Sequence, residues 1–224
     1  RTVKELLVKD AKNPKKLSIL IDEHINTHEH DKKSFAEVST MRDMRMEMLD
    51  TIPKEFWKNK KKVFEPCAGK GGFIIDIIDR FMNAIKELIP DEERRYKTIV
   101  EDCLYFSDIN PVNIFICKLL IDPNNEYKLN YYEGNTLELD IKEKWNIDYF
   151  DAVIGNPPYN EDPDTSKDPH MKPIYQDWIY KFTKISNILL FITPSKWFTS
   201  DDKLLVKLRR YMKKCNLEYI QHFP

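Results

Sequence analysis

No run of about 18 apolar residues occurs anywhere in the chain, so no helix of the kind that crosses a bilayer is expected. No Cys-x-x-Cys pair occurs among Cys67, Cys103, Cys117 and Cys215, and the four follow no regular framework. We therefore expect reduced thiols, mostly in the core, and a cytoplasmic protein rather than a disulfide scaffold or a zinc ribbon. A full G-x-G-x-x-G is missing, which weighs against a nicotinamide-dependent oxidoreductase. No repeat or low-complexity tract is present. Nothing near Arg1 resembles a secretory signal, and Arg1 stands where an initiator Met would, so a chain cut from a longer one is expected. Charge of one sign is also lacking. The 36 basic residues nearly cancel the 37 acidic ones, for a net charge of −1. Any face that grips phosphates must then come from segregated charge or from outside this chain. The Lys58–Lys62 run reads as a solvated helix end.

What is present is an ordinary globular composition, 42% hydrophobic and 33% charged over 224 residues. That suits one domain with a full core. Residues 1–34 read as a charged helical extension, with Leu17, Leu20, Ile21 and Ile25 on one stripe. His24 and His28 could share a helix face, but two ligands fall short of a metal site, and we assign no metal. Met41–Leu49 reads as a packed helix stopped by Pro53.

From residue 62 the pattern alternates. Strands are expected at Lys62–Glu65, Cys103–Ser107, Tyr127–Tyr132, Phe150–Ile154, Asn187–Thr193 and Leu217–His222. Helices are expected at Gly71–Leu88, Pro111–Leu120, Ile174–Ile185 and Asp201–Met212, with a charged loop around Asp91–Arg95. This order predicts an α/β fold, a doubly wound and mostly parallel sheet, over residues 35–224.

Three places carry chemistry. Glu65-Pro66-Cys67-Ala68-Gly69 lies between a strand and a helix, with Gly71 and Gly72 following. Such a turn lets backbone approach a ligand. Glu65 would repel a pyrophosphate, and suits a cation such as the amino group and sulfonium of S-adenosyl-L-methionine. Asp108 ends the second strand, where an acid accepts from ribose hydroxyls, although the gap from Gly69 exceeds the usual value of about 20 residues. Asp108 or Asn110 could instead cap the helix that starts at Pro111. The third place is Asn156-Pro157-Pro158-Tyr159, after a buried strand. Two prolines stiffen the segment and present the Asn156 amide oxygen and the Pro157 carbonyl as acceptors. A conjugated amine is a poor nucleophile until such acceptors favour its lone pair, and Tyr159 can stack on its ring.

With these residues the chain resembles the γ-class N6-adenine DNA methyltransferases of restriction–modification systems, especially the methylase part of enzymes that fuse nuclease and methylase. The resemblance covers roughly residue 35 to the C-terminus. Phe35–Thr40 resembles the family's first cofactor element, with Met41 where proline is usual, and it implies Thr40 as a cofactor contact. Glu65 to Gly69 resembles the glycine-rich motif, and Asp108 with Ile109 the ribose site. Asn135 and Thr136 fall at the adenine-binding position, where an aspartate is common, so a weaker contact from Asn135 is implied. Lys172–Tyr175 and Ile192–Trp197 resemble later segments.

The resemblance implies S-adenosyl-L-methionine as cofactor, double-stranded DNA as partner, and a flipped adenine as substrate. It also implies a target-recognition domain, and a nuclease, fused or separate, beyond this chain. The loop Asn160–Lys172 is expected to order over the base. Methylation of an RNA adenine or a protein glutamine, and a non-catalytic cofactor-binding module, are the alternatives.

Overall fold

The computed structural model describes Lys16, residues 40–160 and residues 173–221. The expected helical extension, the His24/His28 pair, Phe35–Ser39 and most of the Asn160–Lys172 loop lie outside the described residues. Five strands form one sheet: β1 (Val63–Glu65), β2 (Leu104–Asp108), β3 (Asn130–Glu133), β4 (Phe150–Gly155) and β5 (Ser186–Phe191). All pair in parallel, in the order β3-β2-β1-β4-β5. The doubly wound sheet expected from the alternating pattern is present.

Parallel strands need crossovers, and these cover both faces of the sheet, so the central strands are continuously buried rather than alternating. β1 and β2 are buried at every residue. One face carries α1 (Arg42–Asp50), α2 (Lys54–Trp57), α3 (Gly72–Ala84) and α5 (Pro111–Ile121). Leu49, Trp57, Ile74, Phe81 and Ile114 pack there against Val63, Leu104 and Ile154. The other face carries α6 (Ile141–Trp145) and α7 (Tyr175–Phe182), with Phe64, Tyr105 and Phe150 against Trp178 and Phe182. α8 (Lys203–Met212) follows β5 and packs Leu205 and Leu208 on Tyr175 and Ile179.

Several expectations are corrected. The charged segment near Asp91–Arg95 is not a loop but α4 (Glu92–Thr98), which runs through a π-helical turn (Ile99–Cys103) into β2. Asp91 caps it by accepting from the Arg94 amide at 2.7 Å. Acids fill its first turn and bases its last, matching the helix dipole. Cys103 therefore belongs to that turn, not to β2. β3 starts later than expected because the Asp122 carboxylate takes the Glu126 and Tyr127 amides at 2.7 and 2.9 Å. The strand expected at Leu217–His222 is absent from described residues 217–221, and Leu217, Tyr219 and Ile220 are each about half exposed. An alternating sequence forms a strand only where a sheet edge receives it. Of the cysteines, Cys103 and Cys117 are buried, while Cys67 and Cys215 are half-buried.

Candidate functional site

The strand order reverses between β1 and β4, so their carboxyl ends open a crevice, the usual ligand position in such sheets. β1 ends at Glu65 and β4 at Gly155. The glycine-rich turn and Asn156–Tyr159, separated widely in sequence, therefore meet at one edge.

The turn after β1 is held from behind. The Ala68 amide donates to the Ser107 carbonyl at 2.9 Å, and the Gly71 amide to the Ala68 carbonyl at 2.9 Å. The Pro66 carbonyl accepts from the Ser107 hydroxyl at 3.1 Å and from the Thr136 hydroxyl at 3.0 Å. Thr136 is buried, so it acts on the turn from beneath it. Gly71 has φ +86°, and a Cβ there would lie 3.1 Å from Leu120. That left-handed conformation turns the chain into α3.

Glu65 is 1% exposed, and no described side chain bonds either carboxylate oxygen; only the Cys67 backbone amide approaches them. Burial pushes its carboxyl well above the ordinary range; the nearby Cys67 amide opposes this, and the Asp108 charge adds to it. A Cβ on Gly155 would lie 2.6 Å from Glu65 Oε1. Glycine at that position keeps open the space the carboxylate faces. A buried acid with no side-chain partner, beside an open backbone, is a place for a cation. The Cys67 thiol is also pushed up, by burial and then by Glu65 and Asp108, so it stays uncharged.

Asp108 stitches the crevice together. Its Oδ2 accepts from the Gly69 amide and its Oδ1 from the Asn110 amide, both at 2.8 Å. The cap of α5 is Asn110, whose Oδ1 accepts from the Val112 amide at 3.0 Å. Ile109 is 61% exposed at this same edge. Asn135 caps a local turn: its Oδ1 accepts from the Leu137 amide at 3.1 Å, and its Nδ2 donates to Glu138 at 2.7 Å.

Beyond β4, Pro157 is buried, while Asn156, Pro158 and Tyr159 are half-buried. The Gly155 carbonyl accepts from the Ile192 amide at 3.2 Å. The Tyr159 carbonyl accepts from the Ile174 amide at 3.0 Å, and Asn160 bridges Pro173. The described residues that flank 161–172 are thus tied to each other. Asn156 Nδ2 donates to Thr40 Oγ1 at 3.2 Å, which brings the segment before α1 to the motif. Burial raises the Tyr159 phenol and the Asn156 side chain opposes it.

The structure brings Thr40, Glu65–Gly69, Asp108 and Asn156–Tyr159 to the same end of the sheet. Sequence reading missed Ser107, which no motif marks. It also missed Arg45 and Asp76, buried charges within apolar-looking helices. The one available signal was Gly72: a Cβ there would meet the Arg45 guanidinium at 2.8 Å.

The profile of the Eco57I restriction-modification methylase family matches residues 102–224, more than half the chain. The chain belongs to this family. A Mycoplasma pneumoniae protein named as an uncharacterized adenine-specific methylase is 30% identical over 163 residues, 70% of this chain and 37% of that protein. This Eco57I-family chain thus spans about a third of the curated relative it matches. Among solved structures, one described as the modification subunit of a type I restriction enzyme from Vibrio vulnificus superposes with a TM-score of 0.61. It is 14% identical and covers 90% of this chain and 43% of its own. One described as an RNA methyltransferase from Pyrococcus horikoshii gives 0.55 at 15% identity, covering 90% of this chain and 77% of its own. These two likenesses establish the methyltransferase fold and leave the substrate to the site.

Proposed function

We propose that this chain is the catalytic core of an S-adenosyl-L-methionine-dependent methyltransferase that methylates the exocyclic amine of a flipped-out adenine in double-stranded DNA, within a restriction–modification system. The carrying observation is the buried Glu65 carboxylate, which no described side chain bonds and which Gly155 keeps open, one peptide away from Asn156-Pro157-Pro158-Tyr159. The family relative named as an adenine-specific methylase supports the same substrate.

The residues fit the cofactor. Glu65 offers a negative charge to its amino group or sulfonium. The Pro66–Gly69 backbone would line it, Asp108 would face its ribose, and Ile109, Asn135 and Thr136 would border its base. The bound cofactor supplies an electrophilic methyl group on a positively charged sulfur. The chain's own part is to prepare the amine. The Asn156 amide oxygen and the Pro157 carbonyl accept its two N–H groups, which disfavours conjugation with the ring and turns the lone pair outward. Tyr159 remains a neutral phenol that offers a ring face for stacking. Position and fixed dipoles supply the acceleration, and no strong base is required.

Phosphate binding needs segregated cations, and α8 carries them. Lys203, Lys207, Arg210 and Lys214 are exposed and follow one another at helical spacing, with no acid between them. A target-recognition domain and a nuclease are proposed as partners outside this chain.

The test is methyl transfer from labelled donor to duplex DNA, RNA and a glutamine peptide. Label is expected on adenine N6 of the duplex. Asn156→Ala should lower that rate by about 10²-fold or more, as loss of a transition-state dipole does. Label on RNA or peptide alone, or an undiminished rate in the variant, would overturn the reading.

A further inference from the structure

Arg45 is 2% exposed, yet it lies in a helix whose other buried residues, Met48 and Leu49, are apolar. Its Nε donates to Asp76 Oδ2 at 2.7 Å; Asp76 is itself 3% exposed, and its Oδ1 lies 3.7 Å from Nε of the more exposed Arg42. Its Nη1 donates to the Thr40 carbonyl. Its guanidinium also lies against Gly72, where any side chain would collide with it. One cation therefore ties three things: the segment before α1, the first turn of α3, and the exit of the glycine-rich turn.

A buried ion pair is a poor source of stability, because desolvation offsets most of the attraction; an apolar pair of similar size often does as well. Arg45 and Asp76 are better explained by what they hold in register. Thr40 lies at the free end of that hold, and its Oγ1 accepts from Asn156 Nδ2. A carboxamide presents either an acceptor or a donor to a neighbour, depending on which way it is turned. A hydroxyl can serve either end, so Thr40 fixes where the carboxamide stands, and the Tyr159 phenol contacts the same side chain.

We propose that Arg45 is a positioning residue: with Asp76 it fixes Thr40, and through the Thr40 hydroxyl it holds the Asn156 carboxamide, together with Tyr159, in place beside the substrate amine. This rests on the proposed function. It assigns Thr40 chiefly to the acceptor and only secondarily to the cofactor.

Three variants of the full encoded protein test it: Thr40→Val, Thr40→Ser and the paired Arg45→Met/Asp76→Leu, which removes both charges together. Single-turnover transfer should fall by about 10- to 100-fold in Thr40→Val and in the paired variant, the usual cost of a misplaced reacting geometry. Binding of S-adenosylhomocysteine and the KM for DNA should stay near wild type, and Thr40→Ser should restore the rate. Independently of activity, the Asn156 side-chain NH2 protons should exchange slowly with solvent in ligand-free wild type and faster, with shifted resonances, in Thr40→Val; the two stay distinct in both because rotation about the amide C–N bond is slow. If the paired variant does not fold, the two Thr40 variants decide. Unchanged rates with unchanged resonances would overturn the proposal, as would a rate loss matched by an equal loss of S-adenosylhomocysteine affinity. A wild-type protein that transfers no methyl group to any substrate overturns the proposed function instead, and the Asn156 resonances still report on the Thr40 contact.

Discussion

Glu65 shows how one side chain can couple acidity, folding and ligand binding. Its carboxyl is raised in the folded state, chiefly by burial. The folded protein therefore holds that proton more tightly than the unfolded chain does. The associated stability is complete below the ordinary glutamate value of 4.5 and is lost as pH rises through the raised folded value. Without ligand, wild-type Tm should fall relative to Glu65→Gln between pH 5 and pH 8, and thermal melts of the two proteins should converge at low pH. Parallel Tm curves would show that the carboxylate is solvated. The Gln variant should also lose cofactor affinity, since the amide offers a cation no charge. Glu65 and Asn156 were legible in the sequence because each stands in a motif whose neighbours, Pro66 and Pro157, announce it. Arg45 was not legible, because a buried charge needs a partner to identify it, and Asp76 lies 31 positions away.

At the scale of elements, α8 carries the clearest separation of charge. Its inner residues Leu205 and Leu208 pack on α7, while Lys203, Lys207 and Arg210 face outward and Lys214 extends the stripe. Replacing all four by Gln should leave kcat intact and weaken duplex binding. The plot of log affinity against log salt should become shallower by about 3.6, the loss expected for four phosphate contacts on a duplex. An unchanged salt slope would reduce the stripe to a solvated face. The elements themselves were largely predictable where a long apolar period existed, as in α3, α5 and β4. α4 escaped because its signal is capping and charge order rather than hydrophobicity, with Asp91 in front and Arg95 and Lys97 behind. The expected last strand failed for the opposite reason. Leu217, Tyr219 and Ile220 have the alternation, but pairing depends on a neighbouring edge that local sequence does not encode.

At the scale of the whole molecule, strand order decides what the site can be. Placing β4 beside β1 sets Gly155 against Glu65, so Glu65 and the Asn156–Tyr159 segment share one crevice although a long stretch of chain separates them. The motif's downstream boundary is equally well defined. Asn160 bridges Pro173, and the Tyr159 carbonyl takes the Ile174 amide at 3.0 Å. That clasp anchors Tyr159 to α7 whatever lies between. Residues 161–172 should then behave as an exchangeable cassette. Shortening it or grafting in an unrelated sequence should leave melting temperature and cofactor binding near wild type, and change only how DNA is engaged. A chain clasped in this way can change the sequence between positions 160 and 173 without moving the residues on either side.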